Sequence, residues 1–123
     1  MSHITKFESK IKDVNLLHDA LESLKREGKL DYTWLGEGEQ QSYSTTTKGV
    51  HFKLANWNYP VCIHEDGSMS FDNYHGNWGK PIDLDRVVQR YNEKLLVKNA
   101  RENGWQVERA VNDAGDVTLR LIQ

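Results

Sequence analysis

Apolar positions change their period several times along this chain, and each change marks an element. Val14, Leu17, Leu21 and Leu24 recur at intervals of three and four, with Leu16 and Ala20 alongside. That spacing lays one apolar stripe along a helix over about residues 14–26. Asp13 stands where an N-cap carboxylate accepts from the free amides of a first turn. Lys25 and Arg26 suit the negative end of the helix dipole, and Gly28 suits a left-handed cap. Leu84, Val87, Val88, Tyr91 and Leu95 form a second stripe. It predicts a helix after Pro81, capped by Asp83 and running to about Glu102, with Asn103-Gly104 as its stop.

Around these helices the period is two. Ser2 to Phe7, with Ile4, Thr5 and Phe7 among polar residues, predicts a short first strand. Leu30, Tyr32 and Trp34 share one face of a second strand, and Val50, Phe52 and Leu54 alternate with His51 and Lys53 in another. Tyr59 to His64 and Met69 to Phe71 follow, joined by the turn Glu65-Asp66-Gly67-Ser68, which suggests an antiparallel meander. Trp105, Val107 and Arg109, the turn Asp113-Ala114-Gly115-Asp116, then Val117, Leu119 and Leu121 predict a closing pair of strands. Gly36 to Lys48 is rich in Gly, Glu, Gln, Ser and Thr, with Tyr43 its one large apolar side chain. It reads as a mobile loop or as an exposed edge strand through Tyr43-Ser44-Thr45-Thr46-Thr47.

This order of elements predicts one α+β domain over residues 1–123. Two helices pack on one face of a mostly antiparallel sheet, in a ferredoxin-like or related sandwich. A helix–glycine–strand unit occurs twice. The exits Lys25-Arg26-Glu27-Gly28 and Ala100-Arg101-Glu102-Asn103-Gly104 look alike, which duplication or, more commonly, shared capping chemistry produces.

Composition narrows the function classes. At 123 residues, 28% charged, 37% apolar and 10% aromatic, the chain is globular rather than disordered. Its formal charge of −2 supplies no basic field for nucleic acid. Lys94, Lys98 and Arg101 share a helix face, and solvated charge is the commoner reason for such a stripe. A single cysteine, Cys62, excludes a disulfide framework and a four-cysteine metal site. No apolar run approaches the roughly 20 residues of a bilayer span, and the N-terminus has no signal-peptide-like stretch. The chain therefore reads as cytoplasmic, with no membrane partner.

Candidate chemistry is sparse. His51, His64 and His75 lie near Cys62, Glu65, Asp66 and Asp72 in sequence. Zinc needs three or four converging ligands, and Cys62 with His64, two apart on a strand, offers two. No metal or cofactor is expected. Cys62 sits between Val61 and Ile63, the setting of an inert strand thiol. No serine occupies a Gly-x-Ser-x-Gly elbow, and the acids of Gly36-Glu37-Gly38-Glu39 would repel phosphate. Asp83 with Asp85, and Glu37 with Glu39, read as caps and solvated charges. No catalytic residue is assigned, and the reading leans away from an enzyme.

Aromatics are the exception. Trp57, Tyr59, Tyr74, His75 and Trp78 exceed what plain connectors require. Rings on loops anchor a partner or stack on a planar ligand. The plainer reading has them cover sheet left open by the helices. For a ligand, Arg86, Arg90 or Lys80 would pair with phosphate.

The ends of the chain resemble the Ycf35-like family. The resemblance rests on Met1-Ser2-His3 opening into a strand, the acidic N-cap and the Leu-rich helix. Gln89-Arg90-Tyr91, Glu102-Asn103-Gly104-Trp105-Gln106-Val107 and Gly115-Asp116-Val117-Thr118-Leu119-Arg120-Leu121 add to it. It covers residues 1–24 and 84–123 and implies a small protein of cyanobacteria, red-algal plastids or bacteriophages, with no activity or catalytic residues to transfer. The expectation is a non-enzymatic interaction or regulatory module binding a protein partner or itself, in the cytoplasm or a phage host's cytoplasm. The alternative is a binder of a small nucleotide-like ligand, or an enzyme acting on one, using the aromatic loop and the basic residues of the second helix.

Overall fold

Asp13 turns the chain into its first helix: its Oδ1 accepts the Leu16 amide at 3.0 Å. The structure, a computed structural model, describes residues 10–42 and 45–123, His75 by its backbone alone, and the backbone of residues 4–7. Helix α1 spans Val14–Arg26 and buries Leu17, Ala20, Leu21 and Leu24. Gly28 follows at φ +72°, its amide donating to the Lys25 carbonyl, as the capping pattern requires.

Helix α2 spans Pro81–Glu102 and starts earlier than an Asp83 cap would place it. Pro81 takes the first helical position, where a missing amide costs nothing, and Lys80 becomes the N-cap. Asp83 falls in the first turn, where its charge favours the helix dipole.

The strands are β1 (Ile4–Phe7), β2 (Tyr32–Gln41), β3 (Thr46–Leu54), β4 (Val61–Ile63) and β5 (Met69–Asp72). They form one sheet in the order β1-β5-β4-β3-β2, every pair antiparallel. Strands β6 (Gln106–Val111) and β7 (Val117–Ile122) make a separate antiparallel hairpin. The fold is α+β. Its strand order belongs to a related sandwich rather than the ferredoxin-like one, because a split βαβ core needs a parallel pair. No helix among the described residues is long and apolar enough to cross a membrane.

Leu17, Leu21 and Leu24 of α1 and Leu84, Val87 and Tyr91 of α2 bury against Phe52, Leu54, Val61, Ile63, Met69 and Phe71 of the sheet. Alternation along each strand then sends His51, Cys62, Ser70 and Asp72 to the opposite face, where they too are buried.

Gly36 to Lys48 is mostly strand, so the mobile-loop reading fails. β2 runs through Gly36 and Gly38 to Gln41, with Leu35 the extra residue of a bulge. Tyr43 and Ser44 lie outside the described residues, as do Met1 to His3. β3 is sharply bent: Thr47 Oγ1 lies 2.9 Å from His51 Nε2, although residues four apart on an extended strand are about 13 Å apart at their Cα atoms. Gly49, between them at φ +153°, supplies the bend, and a Cβ there would lie 2.2 Å from the Ile63 carbonyl oxygen.

Candidate aromatic docking site

Two loops meet at the end of the sheet where β3 stops and β5 leaves. In the first, Trp57 donates its amide to the Leu54 carbonyl and drives its ring inward. It is 1% exposed and meets Phe71 edge-on with centroids 5.5 Å apart. The second loop lies over it. Asn73 anchors that loop, its carbonyl accepting from Gly76 and Trp78, and the Trp78 carbonyl accepts from Asn58 at 2.8 Å. Gly79 then crosses the Trp57 indole.

This stitching brings three rings together at the surface. Trp78 stacks on Tyr74 with centroids 4.8 Å apart and a 26° interplanar angle. Tyr59 meets Trp78 edge-on at 5.5 Å. All three rings are half-buried. Offset stacking and edge-on contacts together hold such rings in one arrangement, each pair worth about 0.5–1.5 kcal/mol. Tyr74 has φ +45°, a left-handed backbone that a bulky residue adopts only when its surroundings over-determine it.

Of the residues singled out in the sequence, Tyr59, Tyr74 and Trp78 converge. Trp57 does not join them, because its ring fills the core and presents no surface to a partner or ligand. The backbone of His75 is part of the short 3-10 turn Tyr74–Gly76, and its side chain lies outside the described residues.

Arg90 is structural rather than ligand-binding. It is 8% exposed and grips both carboxylate oxygens of Glu27, with Nη2 to Oε1 at 2.9 Å, while Nη1 also donates to Ser23 Oγ. That guanidinium holds the Glu27 carboxyl below its ordinary range. Arg86 is exposed and 4.0 Å from Asp83. It lines a groove of about 390 Å³ with Arg90, Glu93 and Arg109, whose lining includes none of the three rings.

The sheet's second face carries the histidine and thiol chemistry. Cys62 Sγ is 3.9 Å from His64 Nδ1, so the two do share a strand face, and His64 Nε2 is 2.6 Å from Ser70 Oγ. Cysteine, histidine and an orienting hydroxyl thus follow in the order of a nucleophilic triad. Burial nevertheless raises the Cys62 pKa, which works against the thiolate that a nucleophile needs, and burial likewise lowers that of His51. Among the described residues, no three His, Cys, Asp or Glu side chains are placed to hold a metal ion.

Gly79 and Asn73 are parts of the site that sequence reasoning passed over. A glycine two residues before the helix proline was the one visible sign of a close approach. The chain matches no protein-family model, no curated protein and no solved structure.

Proposed function

We propose that this protein is a non-enzymatic interaction module that binds a protein partner through Tyr59, Tyr74 and Trp78. The observation that carries the reading is the fixed ring cluster centred on Trp78, with Tyr74 held in a left-handed backbone against it. Amphipathic rings that are already ordered lose little entropy on binding, which is why they anchor interfaces. Cytoplasm, or host cytoplasm for a phage member of a Ycf35-like family, is the proposed compartment.

The test is affinity capture from the native cell with wild-type, Trp78→Ala and Tyr74→Ala baits, each checked for an unchanged far-UV spectrum. Loss of one or a few specific partners from both variants is expected. An identical set of captured proteins would overturn the reading. A nucleotide-like ligand is less favoured because Arg90 is already engaged by Glu27. A thermal-shift panel of nucleotides should therefore be flat.

A further inference from the structure

The hairpin of β6 and β7 is a two-stranded sheet apart from the main one. None of residues 105–123 is buried, and β7 pairs with β6 alone among the described residues. Cross-strand register puts Val107 opposite Leu121, Arg109 opposite Leu119 and Val111 opposite Val117, all on one face. Yet Val111 is 50% exposed, Leu121 39% and Leu96 of α2 44%. Leu119 lines an open groove of about 480 Å³ with Val88 and Leu96. Two strands alone are marginally stable, and an unprotected edge invites another strand.

The backbone fixes which groups the free edge offers. The Asn112 amide donates to the Asp116 carbonyl, so this pair is hydrogen-bonded. Alternation up an antiparallel ladder then turns the amides and carbonyls of Val117, Leu119 and Leu121 away from β6. We propose that two copies of this chain associate by antiparallel pairing of β7 with β7 about a two-fold axis at Leu119, giving a four-stranded sheet.

Charge is compatible with this edge and register, and it disfavours two of the alternatives. With the axis at Leu119, Leu119 faces itself and Val117 faces Leu121 of the second copy, while Thr118 faces Arg120 on the other side. No like charges oppose each other. An axis one residue later would set Arg120 against itself, and β6 paired about its own Arg109 would do the same. Isologous pairing also unites the apolar faces of both hairpins beside the exposed Leu96 side chains. The surface is separate from the ring cluster, so neither proposal depends on the other.

Sedimentation equilibrium of the full chain at about 1–500 µM tests this, with Thr118→Glu and Thr118→Arg, both at an exposed position. A dimer is expected. Thr118→Glu, opposite Arg120, should tighten it and Thr118→Arg weaken it, each by roughly 2–30-fold for two symmetric pairs. Leu119→Pro removes an outward amide together with the Leu119 side chain, and Leu119→Ala controls for the side chain. The proline should abolish dimers while the far-UV spectrum persists, and the alanine should only weaken them. A wild-type monomer throughout that range, or a dimer indifferent to both charges at residue 118, would overturn the proposal.

Discussion

Gly79 lies so close to the face of Trp57 that a Cβ at residue 79 would fall 2.3 Å from the indole Cδ2. No real side chain tolerates that approach, and the ring it meets is large and fully packed. Gly79→Ala should therefore cost about 1–3 kcal/mol, the usual penalty of overpacking. Thermal unfolding reads it directly. Trp57→Phe in the same chain should recover part of the loss, so the double variant will be less damaged than the sum of the singles.

Arg90 and Glu27 tie α2 to the end of α1, and the consequence is a pH dependence of known sign. The Glu27 carboxyl is lowered in the folded state, chiefly by its hydrogen bonds from Arg90. Its contribution is therefore complete above the unfolded value near 4.5 and is lost as pH falls below it. Glu27→Gln should flatten that part of a stability-versus-pH curve. Glu27 is 40% exposed, so Arg90→Met should cost only about 1–2 kcal/mol rather than the toll of a stranded buried charge.

A second pH effect begins higher. His51 is 0% exposed, and desolvation lowers its pKa in the folded state. The unfolded chain takes up that proton first, so stability is full above the ordinary value of 6.5 and falls as pH drops through it. Urea denaturation at pH 7.5 and 5.5 should show the loss, with His51→Gln reducing the difference between the two. An equal difference in the variant would assign the effect elsewhere.

Tyr74 separates stability from binding. Its left-handed backbone costs about 1–2 kcal/mol relative to an ordinary conformation, and glycine carries no such cost. Tyr74→Gly should thus leave the melting temperature within about 4 °C of the wild type, strain relief offsetting the lost stack on Trp78. Partner capture should nonetheless fail. A large loss of stability would mean that the ring is there for the fold.

Sequence periodicity carried most of the architecture because one-sided burial leaves a regular trace. The α1 stripe from Val14 to Leu24 and the cap at Gly28 stand where the pattern put them. It was least informative where backbone geometry, rather than burial, shapes a strand. Gly36 and Gly38 looked like a loop because a bulged, bent hairpin needs glycines where an ordinary strand needs side chains. Trp57 and Trp78 illustrate the limit for the site. Both are tryptophans on loops, yet one fills the core and the other does not, and the backbone that covers Trp57 comes from Gly79, distant from Trp57 in sequence. Arg90 was equally opaque, since its partner Glu27 sits on another helix end.

The place of β1 in the sheet bears on how the chain acquires its shape. Ile4 pairs with Asp72, and Phe7 with Met69, whereas β2 to β5 pair with sequence neighbours. The meander can close from local contacts, but the first strand synthesised must wait for the last strand of its sheet. Until β5 leaves the ribosome, β1 has no ladder to join, and a long loop must then close to seat it. Docking of β1 should therefore be the late event of folding. Hydrogen exchange pulsed during refolding would find its amides protected after those of β3 and β4.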